Sequence, residues 1–213
     1  IDAALAAPFA QQALRVDYTT YALRADNAGR ARVILALDAE LPLRDGTNGN
    51  ADVVFVVRDM RDGGVVATGT DTMPLPARAA DGSSTGSGSF RVHFDVPPGT
   101  YMMRTVVREA GGLVGSADRK LEVRGFAGPD VTVSDLILGS ANGALPVRAR
   151  AYTQDGLTGI VETYGRTGEQ LRDVAVTASL VSIASGAAGA AFRADVAGPV
   201  RSGTGDVRRP LLA

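Results

Sequence analysis

The chain contains no cysteine and no tryptophan, a single histidine and a single lysine. Without thiols it can build no disulfide framework, no thiolate nucleophile and no Cys-ligated zinc or iron–sulfur centre. A Ser-His-Asp triad or a histidine general base would have only His93 to use. Charge of one sign is also lacking. The formal net charge is −1 and the basic residues are scattered, so no stripe exists to neutralise a phosphate backbone, and nucleic acid is excluded as a partner. Lys120 apart, every basic residue is arginine; with the abundant Ala and Gly this reads as a GC-rich bacterial genome, not as a binding site. The longest nearly apolar stretches, such as Leu180–Phe192, are broken by Ser and Gly. They fall short of the roughly 20 residues that span a bilayer, and no transmembrane segment is expected in these residues.

What is present is enough apolar surface to fold. Hydrophobic residues make up 45% of 213 positions and charged residues 21%, the balance of a globular chain long enough for two modules of roughly 100 residues each. The dominant pattern is period-two alternation of apolar and polar residues, interrupted by Gly, Pro, Asn and Asp, which predicts an all-β protein. After an Ala-rich N-terminal arm at 1–13, strands are expected over Leu14–Ala25, Arg30–Glu40, Asp52–Asp59, Val65–Thr72, Ser87–Val96, Tyr101–Glu109 and Ser116–Arg124. Seven strands make one immunoglobulin-like β-sandwich, placed here at residues 14–125. Asp26–Gly29, Asp45–Asn50, Asp62–Gly64, Pro97–Gly99 and Gly111–Gly112 supply the turns between them.

Gly and Pro in Val123–Asp130 break the alternation and mark the boundary to a second β-sandwich at 126–213. Its strands are expected over Val131–Leu138, Leu145–Thr153, Thr158–Tyr164, Arg172–Ala184 and Ala190–Ala197, with Asp206 onward approaching another hairpin. The fold class is therefore two tandem immunoglobulin-like sandwiches, the second short of strands. Val174–Ala184 carries no charge or proline to blunt its edges, so this strand is expected to need neighbours on both sides. The chain opens at Ile1 without methionine and stops at Leu211-Leu212-Ala213 as another strand begins. Both ends read as cut, which leaves room for a signal peptide, a lipid anchor or a further domain outside these residues.

Candidate chemistry is sparse. Phe90, Val92, Phe94 and Val96 share one face of their strand and should enter the core, which leaves His93 on the polar face as a solvated side chain. No Gly-x-Ser-x-Gly elbow accompanies it: Gly82-Ser83-Ser84-Thr85-Gly86 lacks the spacing. Asp45, Asn48, Asn50 and Asp52 gather oxygen-bearing side chains as a calcium loop does, but without the EF-hand spacing or its bidentate Glu, so a polar turn is expected. Glu162 and Glu169 flank Tyr164-Gly165-Arg166 and are read as solvated carboxylates, not as a glycosidase pair. Tyr101, just after Pro97-Pro98-Gly99-Thr100, sits where sandwiches use a tyrosine ring and hydroxyl to fasten the preceding corner, and is read as structural. No catalytic residue, cofactor or metal ligand is assigned, and the chain is expected not to be an enzyme.

Pro98-Gly99-Thr100-Tyr101 followed by Arg104–Glu109, together with Val133–Gly139, resembles the C-terminal β-sandwich regions of bacterial secreted proteins related to von Willebrand factor type A modules, found in Acidobacteria and neighbouring phyla. The likeness covers about residues 15 to 170. It implies export and protein contacts. The type A module's Asp-x-Ser-x-Ser adhesion run is missing; Asp81-Gly82-Ser83-Ser84-Thr85 ends in Thr, so metal-dependent adhesion is not carried over. The expected function is a structural or accessory protein-interaction module, periplasmic or at the cell surface. Its partner could equally be a respiratory or photosynthetic membrane complex, a secretion apparatus or a surface array. A carbohydrate-binding sandwich is the alternative, disfavoured by 5% aromatic content.

Overall fold

Alternating β-branched and aromatic residues suit a pleated, half-buried surface, and they govern the computed structural model, which describes residues 1–43, 49–75, 84–140, 157–172, 174–189, 192–193, 195–196, 200–201 and 207–212. The protein is all-β with antiparallel sheets. It divides into two compact units: Ile1–Thr20 with Val33–Arg124, and Tyr21–Arg32 with the described residues from Gly125 onward.

In the first region a short helix α1 (Asp2–Ala6) precedes β1 (Val16–Arg24), β2 (Ala31–Pro42), β3 (Asn50–Asp59), β4 (Val65–Pro74), β5 (Thr85–Val96), β6 (Gly99–Arg108) and β7 (Val114–Val123). Each overlaps its expected strand. They form two sheets, ordered β1-β2-β5 and β4-β3-β6-β7. A constant-type immunoglobulin domain places its fourth strand in the sheet of its first two; here β4 lies in the other sheet and pairs β3 from Asn50↔Pro74 to Arg58↔Val65. Between the sheets lies the core. Val33, Leu35, Leu37 and Leu41 of β2, Val53, Phe55 and Val57 of β3, and Tyr101, Met103 and Val107 of β6 are buried at alternate positions. Phe55 stacks on Phe94 of β5 at 5.0 Å; Phe90, Val92 and Phe94 are half-buried and Val96 fully so.

Two tyrosines tie this sandwich together. The buried Tyr18 hydroxyl of β1 donates to the Met103 carbonyl of β6 at 2.8 Å, one sheet to the other, and burial pushes its pKa up. Tyr101 donates to the Pro97 carbonyl at 2.6 Å and fastens the β5–β6 corner. A Cβ at Gly99 would come within 2.9 Å of that hydroxyl, so the corner needs glycine there. At the β3–β4 turn Gly63 takes φ +75, open to glycine without strain. Asp59 holds this turn with the Arg61 amide and guanidinium, and the hydrogen bonds from Arg61 lower its pKa to about 2.

The second unit is built on β10 (Leu157–Gly165), following β8 (Thr132–Val133) and β9 (Ile137–Ser140). After α2 (Gly168–Arg172) come β11 (Thr177–Ala178), β12 (Phe192–Arg193), β13 (Asp195–Val196), β14 (Val200–Arg201) and β15 (Val207–Leu212). The described strands give one six-stranded sheet, with β8 and β9 on one flank of β10 and β15 on the other, and a separate β11–β12 ribbon. The expected strand Val131–Leu138 is interrupted because Asp135 turns aside: its carboxylate accepts the Ala22 amide at 2.7 Å and its amide donates to the Ala22 carbonyl. The expected continuous strand Arg172–Ala184 does not form. Its first residue ends α2, whose start is a capping box: Gln170 Oε1 accepts the Thr167 amide, and that of Arg166 before it, while Thr167 Oγ1 accepts the Gln170 amide. Within the expected strand, Thr177–Ala178 form a ladder with Phe192–Arg193, and Val181 makes an isolated bridge to Ala188. Leu145–Thr153 lies outside the described residues. The segment from Asp206 forms β15 from Val207, paired to β10 from Gly165↔Val207 to Ile160↔Leu212. On its other side β14 pairs Val207 and Arg208 and β13 pairs Leu211 and Leu212. Pro210, which has no N–H to donate, thus sits between those two ladders.

Thr105 of β6 is fully buried and its hydroxyl has no hydrogen-bond partner among the described residues. Thr105→Val should raise the unfolding free energy by about 1 kcal/mol, because an unsatisfied buried hydroxyl costs more than the methyl that replaces it. Tyr101→Phe, which strands the Pro97 carbonyl, should lower it by about 1–3 kcal/mol. Denaturant unfolding of both variants checks the pair, and destabilisation by Thr105→Val would reveal a partner for that hydroxyl.

Candidate interaction surfaces

The residues singled out by sequence do not converge on one site. His93 is exposed on β5. Asp45 and Asn48 lie outside the described residues, Asn50 is exposed, and the Asp52 carboxylate is engaged by Arg108 Nη2 at 2.6 Å and Nε at 3.2 Å. Of the elbow-like string, Gly82 and Ser83 are outside the described residues, while the Ser84 carbonyl accepts the Leu43 amide. Among the described residues no group of three or more metal-binding side chains occurs, and no helix is long and apolar enough to cross a membrane.

Glu162 departs from the expectation of a solvated carboxylate. It is half-buried and accepts the Tyr164 hydroxyl at 2.6 Å, because residues two apart on a strand share a face. That hydroxyl also accepts the Arg24 amide at 3.0 Å. The Arg24 guanidinium lies 4.7 Å over the Tyr164 ring, and Phe126 meets the ring edge-on at 5.5 Å. Burial, reinforced by the Glu162 charge, drives the tyrosine pKa upward. A tyrosine held protonated between a carboxylate and a backbone amide is a cross-brace, not a general base. Glu169 stands exposed on α2.

Two surfaces do gather interaction chemistry. On the outer face of the β4-β3-β6-β7 sheet, Val54 and Val106 are buried opposite one another although they point away from the core, and the N-terminal arm lies on this sheet. Its anchor is Arg104. The guanidinium grips Asp118 through Nε and Nη2, both at 2.6 Å, while Nη1 donates to the carbonyls of Ala4, Leu5 and Ala7 at the end of α1. Its pKa is raised by the Asp118 bond. Farther along, the arm exchanges backbone and side-chain bonds with Ser116 through Gln11 and bridges Gly115 through Gln12. A Cβ at Gly115 would collide with the Leu14 carbonyl, so the close approach depends on glycine. Beside α1 the arm leaves a cavity of about 230 Å³ lined by Leu5, Val56, Arg58, Met102, Arg104 and Asp118.

The second surface is a hairpin at Leu180–Gly189. Gly189 N donates to the Leu180 carbonyl, Ser182 N to Ala187 and Gly186 N to Ser182, with Val181 bridging Ala188; Gly186 takes φ +67 in the turn. Every residue of the hairpin is exposed. Leu180 is 69% exposed, Val181 56% and Ile183 fully so. Sequence reading found this segment's uncharged edges but not the turn that folds it on itself, which Ser182, Ser185 and Gly186 signal in hindsight.

No protein-family model matches the chain, and no curated protein matches it. The arm's anchoring yields a direct test. Arg104→Lys keeps the charge but cannot fork between Asp118 and three carbonyls, so amide exchange at Leu5 and Gln11 should quicken by about tenfold or more while β3 amides stay protected. Equal protection in both proteins would show that the arm is held by other contacts.

Proposed function

We propose that this chain is a non-catalytic accessory module that works outside the cytoplasm and engages a protein partner through the Leu180–Gly189 hairpin. The observation that carries the reading is the exposure of Leu180, Val181 and Ile183 on a self-bonded hairpin within Val174–Phe192, a stretch without charge or proline. Native edge strands are normally blunted by one or the other. Covering the three side chains contributes on the order of 5 kcal/mol, near the lower end of the roughly 4–15 kcal/mol that association costs. Side-chain burial alone therefore gives weak binding. Added strand pairing along the hairpin edge supplies the remainder, as in β-augmentation. The extracytoplasmic setting and the assignment to a larger bacterial membrane-associated complex rest on the resemblance of Pro98–Glu109 and Val133–Gly139 to secreted β-sandwich regions.

Cross-linking mass spectrometry on native membranes tests this. Leu180→Ser with Ile183→Ser should cut cross-links to the partner about tenfold and leave the thermal midpoint unchanged, since both side chains are exposed. Undiminished cross-links with the double variant would sink the assignment of the hairpin.

A further inference from the structure

The cavity beside α1 has a composition that the interaction reading does not use. Val56 pairs with Arg104 and Arg58 with Met102 across β3 and β6. The alternation of the strand puts all four side chains on the outer face of the sheet, and Leu5 closes one side from α1. Of the three charged side chains in the lining, Arg104 and Asp118 neutralise each other in a fork-to-fork pair. The remaining N–H groups of Arg104 that make bonds are directed to arm carbonyls. Arg58 is exposed, and its guanidinium makes no hydrogen bond or ion pair among the described residues. The cavity thus presents one unneutralised guanidinium at the rim of an apolar patch made by Leu5, Val56 and Met102, with Met102 itself 40% exposed.

From this we propose that the cavity binds a small monocarboxylate bearing an apolar chain, its carboxylate held by Arg58 and its chain laid against Leu5, Val56 and Met102. A planar guanidinium matches a carboxylate with two parallel hydrogen bonds. A phosphate dianion would need further donors, and Arg104 has its own committed to Asp118 and the arm. A cation would meet Arg58 directly. The volume of about 230 Å³ lies below the roughly 300–1,000 Å³ of drug-sized ligand sites, which limits the ligand to a short chain.

Octanoate, octylamine and octanol are the probes, titrated into the full chain and followed by methyl resonances of Leu5, Val56 and Met102. Octanoate should shift all three saturably, and octylamine should shift none. Octanol should bind at least about fivefold more weakly than octanoate, and Arg58→Gln should weaken octanoate by about five- to tenfold, the effect of one charge-assisted pair at a partly exposed site. Arg58→Gln alters an exposed side chain, and an unchanged thermal midpoint confirms that the variant is folded. The proposal is overturned if octanoate leaves these methyls unmoved, or if octanol and the Arg58→Gln variant match octanoate on the native chain.

Discussion

A sheet that carries apolar residues on alternate positions must hide that face, and in the first unit the two sheets hide theirs against each other. Val33, Leu35 and Leu37 meet the layer of Val53, Phe55, Val57 and Met103, each such side chain contributing about 1.5–3 kcal/mol on burial. Everything else in the unit is arranged around that contact. The Tyr18 hydroxyl bridges the sheets where an unpaired phenol would be costly. The Tyr101 corner fixes how the chain crosses from β5 into β6. The arm lies on the outer face of one sheet, where Val54 and Val106 point away from the core and are nonetheless buried among charged neighbours.

The arm explains why Arg104 occupies a position where a strand would normally show water a simple charge. A guanidinium facing a carboxylate on one side and three carbonyls on the other satisfies the end of α1 without burying an unpaired ion. The same solution leaves Arg58, two residues along β3 from Arg104's pairing partner Val56, without a counter-charge among the described residues and beside apolar side chains.

The seven strands of the first region were legible because each carries a strong period-two pattern bounded by Gly, Pro, Asn or Asp, so local preference and burial agree. The Tyr101 corner was legible for the same reason, since its turn residues precede the ring directly. In Val174–Ala184 the large residues Leu180, Val181 and Ile183 are exposed and the rest are mostly Ala, Ser and Thr, so no buried face fixes a strand there. Turn geometry at Ser182–Gly186 decides instead. The Thr167–Gln170 capping box was a visible signal that the strand reading passed over. Arg104 and the cavity were hidden because their partners lie far along the chain: Arg104 meets the arm across about 100 positions, and no local spacing announces such a pairing. Glu162 sits two residues from its partner Tyr164, but that pair is half-buried only where Arg24 and Phe126, both distant in sequence, pack on the ring.

The far end of the first hairpin carries a different lesson. Tyr21–Arg32 belongs to the second unit, where the Ala22 backbone is completed by Asp135 and the Arg24 amide by Tyr164, residues 113 and 140 positions later. The first of these bonds cannot form before Asp135 is synthesised, and the second not before Tyr164 of β10. Strands β1 and β2 therefore serve two units at once, and the chain is not a pair of interchangeable cassettes: genetic exchange at the glycine-rich junction would deliver a second unit lacking the two strand ends that complete it.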